Sequence, residues 1–169
     1  MKPTKTSKRR RVPNGPRGKL VRADGRPFKL RHILVPIDFS EASRQAVAFA
    51  VPLAGKFGAT ITLLHVVQPV IYPDVVGPWV VSEQLVSKAS SKELAAWGKK
   101  LLPAALLKTT VVRFGQPYHE IAEAARAQKV DLLIITTRGR TGLQRALLGS
   151  TAERVLRHAP CPVLTVRVR

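Results

Sequence analysis

HILVPIDFSEASRQAVAFAVPLAGKFGATITLLHVV, residues 32–67, decides the fold. It opens on the aliphatic run Ile33 to Ile37, whose β-branched side chains suit a pleated strand. Asp38 and Ser40 follow, and Ser40 stands where a helix N-cap belongs. From about Glu41 the apolar residues recur at helical spacing, with Ala46, Phe49, Ala50 and Leu53 marking one face, and Pro52 within the segment predicts a kink. Gly55 to Gly58 end the helix, and Thr60 to Val67 form a second apolar run of strand length. Strand, helix and strand in this order make a βαβ unit, whose two strands lie parallel.

The same alternation continues to the end of the chain. Further strands are predicted over Thr109 to Arg113, Asp131 to Thr136 and Pro162 to Arg167. Helices are predicted over Glu83 to Leu102, over His119 to Gln128 behind Pro117, and over Ser150 to Arg157, stopped by the Ala159-Pro160 turn. Most strands are continuous Val, Ile and Leu rather than strictly alternating, as expected when helices cover both faces of a sheet. The predicted fold is therefore α/β, an open five-stranded parallel sheet of order 3-2-1-4-5 with helices on both faces. Gln68 to Val81, with Pro69, Pro73, Gly77 and Pro78, is a long irregular connection of the kind that carries lids or binding loops.

Composition bounds the remaining possibilities. The chain has 169 residues, 29 Lys plus Arg against 10 Asp plus Glu, a formal charge of +19 and 45% hydrophobic residues. That is one domain and a tail, with apolar content for an ordinary core. No run approaches the roughly 20 apolar residues of a membrane span, and the start lacks the apolar stretch of a secretory signal. A single cysteine, Cys161, forms no internal disulfide, so a cytoplasmic protein held by packing is expected. The charge is concentrated at the start: residues 1–31 carry 12 Lys plus Arg against Asp24 alone, with Pro3, Pro13, Pro16 and Pro27 among them. Residues 1–30 are expected to be a basic disordered tail and 31–169 the domain, because so few apolar groups cannot offset the ordering entropy. A coil of that length reaches roughly 30 Å. The tail suits a solubilising extension, a non-specific anchor for RNA, DNA or anionic lipid, or less well a transit peptide.

Ligands of such a sheet bind beyond the carboxyl ends of its strands, where the winding reverses, here between strands one and four. Those ends are Pro36, Ile37 and Asp38 on one side and Thr136, Thr137, Arg138 and Gly139 on the other. The second side continues as TTRGRTGLQRALLGSTAERVL, residues 136–156, in which Gly139 and Gly142 allow tight turns and Gly149, Ser150 and Thr151 open a helix. Amide donors at a helix start, hydroxyls, and Arg138, Arg140 and Arg145 together make a phosphate cradle. Neither GxxxxGK[ST] nor a GxGxxG after the first strand is present. Asp38 has two open roles, ligand contact or cap of the first helix.

HILVPIDFSE at 32–41, TLLHV at 62–66, DLLIITTRGRTG at 131–142 and LLGSTAERVLRHAPCPVLTVR at 147–167 resemble the universal stress protein family over about residues 30–169. ATP-binding members carry glycine, two residues, glycine, nine residues, then glycine with Ser or Thr. Gly139, Gly149 and Ser150 fit that spacing, and Thr136 replaces the first glycine. The resemblance implies a Rossmann-like fold of the adenine nucleotide alpha hydrolase type, with ATP and its accompanying Mg²⁺ as ligand. It places Asp38 near adenine and ribose, Val66 in the adenine pocket, Thr137 to Gly139 at ribose and phosphate, and Gly149, Ser150 and Thr151 on the outer phosphates. A Cβ at Thr136 would crowd the nucleotide or need a different backbone angle, or its hydroxyl would serve ribose or phosphate.

Other polar and aromatic residues are expected to be structural: His32, His65, the pair His119 and Glu120, the corner of His158 and Cys161, and Trp97, with Trp79 on the long connection the better ligand platform. From Leu164 the chain alternates, Thr165, Arg167 and Arg169 facing one way and Leu164, Val166 and Val168 the other, which suits an edge strand. The resemblance implies a homodimer in which these last strands pair antiparallel. The leading expectation is a cytoplasmic ATP-binding stress or signalling module in which the nucleotide acts as a conformational ligand. No general base is positioned, so hydrolysis is not expected as the main activity. The alternative is a nucleic-acid or ribosome-associated protein anchored by its basic tail.

Overall fold

A computed structural model of the chain describes residues 29–68, 83–137 and 149–167. The basic tail, the connection that carries Trp79, the turn with Arg138, Gly139, Arg140, Gly142 and Arg145, and Val168 and Arg169 lie outside the described residues. The elements run β1 (His32–Ile37), α1 (Glu41–Phe57), β2 (Thr60–Val67), α2 (Glu83–Leu101), β3 (Leu107–Phe114), α3 (Pro117–Ala127), β4 (Leu132–Thr136), α4 (Ser150–His158) and β5 (Val163–Val166). All five strands are parallel in the order β3-β2-β1-β4-β5, as the sequence predicts.

Two cores sandwich the sheet. Ile33, Val35, Ile37, Ile61 and Leu63 pack against α1 and α2, joined by Leu164 and Val166 of β5. Leu34, Leu64, Leu133 and Ile135 pack against Ile121, Ala124 and Ala125 of α3 and Ala152 and Val155 of α4, joined by Val163. Burying each such aliphatic side chain contributes about 1.5 to 3 kcal/mol, so both faces need apolar residues at every strand position, and strict alternation is absent.

Several local features depart from the sequence expectation. The inward face of α1 is Ala42, Ser43, Ala46, Val47, Ala50 and Ala54, while Phe49 is 47% exposed. This helix crosses the centre of the sheet, and small residues let it approach where a phenyl ring would hold it off. The helix runs on through Pro52, which is exposed, as is Ala48, whose carbonyl loses a partner and faces water. Ser40 caps it as expected, its Oγ accepting from the Ser43 amide at 3.2 Å. Gly58 ends it at φ 66°, a left-handed conformation that favours glycine. β3 is longer at both ends than predicted, and α3 starts earlier, with Pro117 in its first turn. Asp131 precedes β4 rather than joining it, and its Oδ2 accepts from the amides of Arg31 and His32 at 2.9 and 3.1 Å.

Candidate nucleotide-binding crevice

The crevice follows from one proline. His32 accepts from the Asp131 amide at 2.9 Å, so on β1 the backbone of His32, Leu34 and Pro36 faces β4, while Arg31, which accepts from Thr60, faces β2. The β1–β4 pairing includes only Ile33 with Leu132 and Leu34 with Leu133, whereas the β1–β2 pairing continues to Ile37 with His65. Pro36 has no N–H to extend the ladder towards β4. The two central strands therefore part at their carboxyl ends, at the reversal of winding.

A cavity of about 200 Å³ fills the gap. Pro36 and Asp38 come from the end of β1, Leu64 and Val66 from β2, Ile135, Thr136 and Thr137 from β4, Pro117 and Ile121 from α3, and Gly149, Ser150 and Thr151 from the start of α4. Ile37 borders it although its side chain packs in the α1-side core. All the described residues singled out from the sequence thus meet at one place, while Arg138 and Gly139 lie outside the described residues. Leu64, Pro117, Ile121, Ile135, Ser43 and Ala152 also line it and were not singled out. Strand parity was the available signal for two of them: Leu64 shares a face with Val66, and Ile135 with Thr137.

The walls have distinct chemistry. Leu64, Val66, Pro117, Ile121 and Ile135 give an apolar floor. Across it, α4 starts at Gly149, where no side chain caps the helix among the described residues. The Gly149 amide donates to Thr137 O at 2.8 Å, which ties α4 to the end of β4. A Cβ on Gly149 would lie 3.0 Å from that same oxygen, so glycine is needed here for close approach, at an ordinary extended φ of -68°. The first-turn amides and the hydroxyls of Ser150 and Thr151 then form a positive, donor-rich edge. Ser43, in the first turn of α1, brings a second helix N-terminus to the cavity.

Asp38 is held by its own turn. Its Oδ1 accepts from the Ser40 amide at 3.1 Å and from Ser40 Oγ at 2.5 Å, so it braces the residue that caps α1 and is not itself the cap. Phe39 between them has φ 62°, unusual for a residue with a side chain. Its ring lies 4.5 Å from His65 and 5.4 Å from Trp97, and this packing fixes the strained turn. His65 donates from Nδ1 to Ile37 O at 2.7 Å, and Arg44 stacks over Trp97 at 5.2 Å, so both rings are structural as predicted. Thr136 is the last residue of β4, paired with Val166 in extended conformation, so the position does not demand the backbone freedom of glycine.

The remaining titratable residues lie elsewhere. Glu120 bridges Arg113 at 3.2 Å and His119 at 3.2 Å, a tie between β3 and α3. Burial raises the Cys161 thiol above its usual range, with Asp131 adding to it, which disfavours a reactive thiolate. Among the described residues no group of three or more His, Cys, Asp or Glu is placed to hold a metal.

Known proteins resemble this chain over most of its length. The sequence profile of the universal stress protein family matches residues 29–167. Universal stress protein MJ0531 of Methanocaldococcus jannaschii is 34% identical over 146 residues, covering 81% of this chain and 82% of its own. The structure of UspA from Lactobacillus plantarum superposes with a TM-score of 0.69 at 32% identity, over 82% of this chain and 99% of that one. A universal stress protein solved in complex with cAMP has the same fold, with a TM-score of 0.58 at 23% identity, over 82% of this chain and 98% of that one. A crevice opened by Pro36 at the reversal of a 3-2-1-4-5 sheet, in a chain with these relatives, leads to one assignment: the protein belongs to the universal stress protein family.

Proposed function

We propose that the crevice binds an adenine nucleotide, ATP with its Mg²⁺, and that the protein is a cytoplasmic stress-response module whose conformation the nucleotide sets. One observation carries this reading: Asp38 and the first turn of α4 line the same cavity from opposite strands. The apolar floor suits a base, the Asp38 carboxylate suits ribose hydroxyls, and Ser150 and Thr151 suit phosphate oxygens. The cavity is smaller than the roughly 300 to 1,000 Å³ of most ligand sites, so the phosphates would run outward along α4. Mg²⁺ would then be held by phosphate oxygens and water rather than by a protein cage. Thr136 offers a hydroxyl where ATP-binding relatives have glycine. The fold neighbour solved with cAMP supports an adenine ligand in this architecture. The nucleotide acts by its differential affinity for two conformations, with no catalytic base assigned.

The reading includes a homodimer through β5. Among the described residues that strand pairs only with β4, and its other edge would pair with a second copy across a twofold axis.

Calorimetry with Mg-ATP tests the site. The native protein should give saturable heat, and Asp38→Ala and Gly149→Ala, both still folded by circular dichroism, should each weaken binding roughly tenfold or more. Absence of heat from the native protein would remove the proposal.

A second reading rests on a separate observation, the cationic start of the chain. Residues 1–30 would hold nucleic acid or another anionic surface through phosphates, and the two functions are compatible.

A further inference from the structure

The domain itself is polarised. Strands of this sheet start at one pole and helices end there, so residues distant in sequence converge on the side opposite the crevice. Hydrogen bonds stitch that pole together: Thr60 N to Arg31 O at 2.8 Å, Asp131 N to His32 O at 2.9 Å and Ile61 N to Leu106 O at 2.7 Å. Arg31, Lys108 and Lys129 lie at or beside the starts of β1, β3 and β4, and Lys56, Lys99 and Lys100 in the last turns of α1 and α2; all six are exposed. Among the described acids only Asp131 lies at a strand's amino end, and its Oδ2 is occupied by the amides of Arg31 and His32. Asp38, Glu41, Glu120 and Glu153 stand at the opposite pole, at the end of β1 or in the first turns of helices.

Helix dipoles account for cations in last turns, each gaining about 0.3 to 1 kcal/mol. They account for Lys129 as well, which directly follows the Gln128 cap of α3, but not for Arg31 and Lys108. Lys129, at φ 50°, is the left-handed residue that ends α3, its amide donating to Arg126 O at 3.1 Å. Lys108 brings its ammonium to 3.4 Å from Nδ1 of the buried His32. Next to Lys56 in sequence, at the end of α1, Phe57 is 44% exposed.

We propose that this pole is a docking face for single-stranded nucleic acid, its cations contacting phosphates and Phe57 stacking on a base. Cations that follow a backbone together with an aromatic platform are what sequence-tolerant single-strand binding requires, whereas an anionic membrane has no base to stack. The inference extends the second reading above from the tail to the folded domain, and it is independent of the crevice.

The test measures binding of a fluorescent 20-nucleotide single strand to the full-length protein across a salt series. Native protein is compared with Lys56→Ala/Lys108→Ala/Lys129→Ala, with Phe57→Ala, and with the tail variant Arg9→Gln/Arg10→Gln/Arg11→Gln. Thermal melts and Mg-ATP calorimetry report whether each variant keeps its fold and its crevice. The triple alanine variant should reduce the slope of log K against log salt by roughly 2, and Phe57→Ala should weaken binding roughly tenfold without changing that slope. A loss confined to the tail variant would leave the tail reading standing and overturn the docking face. Failure of all four proteins to bind the strand, or equal binding to vesicles containing phosphatidylserine that Phe57→Ala leaves unchanged, would overturn it as well.

Discussion

His32 shows how a buried polar residue constrains the fold. Its ring is buried at the start of the central strand, Nδ1 donating to Gln128 O at 3.2 Å and Nε2 accepting from the Thr62 hydroxyl at 2.8 Å. Burial, and then the ammonium of Lys108, lower its pKa, outweighing the raising effects of Gln128 and Asp131. The native state thus holds this imidazole neutral, and the unfolded chain protonates it first on acidification. Its contribution to stability is complete above the ordinary value of about 6.5 and is lost progressively as pH falls below that towards the lowered native value. Urea unfolding at pH 7.5 and 5.5 should therefore show a larger loss for the native protein than for His32→Gln; equal losses would contradict this. Gly149 illustrates the opposite case, a residue whose lack of a side chain matters. Its role was visible in the motif spacing, but the reason was not, because the clash is with the Thr137 carbonyl and involves contact across the chain rather than a local angle.

At the level of elements, patterning in the sequence revealed every strand and helix of the described residues and the sheet order, since both faces of the sheet are covered and the apolar runs are unbroken. The ends and faces were less legible. Phe49 fits the helical period of α1 as well as Val47 does, and only the nearness of the sheet selects the small residues. Pro117 and Ile121 reach the crevice because of how α3 lies over β2, which periodicity alone does not encode. The turn before α1 was legible in chemistry but not in detail: an acid, an aromatic and a serine become a bracing carboxylate, a strained Phe39 and a cap. Ser40→Ala should destabilise the domain by about 1 kcal/mol, lowering its melting temperature by roughly 3 °C. Because Asp38 leans on Ser40, the variant should also weaken nucleotide binding, and calorimetry beside the melt reads both. In β5, the carbonyls of Pro162 and Val166 accept from β4, so the Thr165 amide points to the outer edge. Thr165→Pro should therefore dissociate the proposed dimer in sedimentation while leaving the monomer folded; an unchanged dimer would exclude pairing through this edge.

Across the whole molecule, the parallel sheet sets up two poles with opposite chemistry. Helices start, and most described acids stand, at the carboxyl pole, where Pro36 has opened the sheet. Helices end at the amino pole, where exposed lysines and arginines gather. A small polyanion held between helix starts and an extended polyanion held by a cationic face are compatible on such a body, since neither site uses the other's residues. The first of these is the core of the account, and backbone amide NMR during a Mg-ATP titration tests it most directly. Saturable shifts with one common dissociation constant are expected at Asp38, Val66, Thr137, Ser150 and Thr151. Shifts confined to the lysine-rich pole, or none at the start of α4, would contradict it.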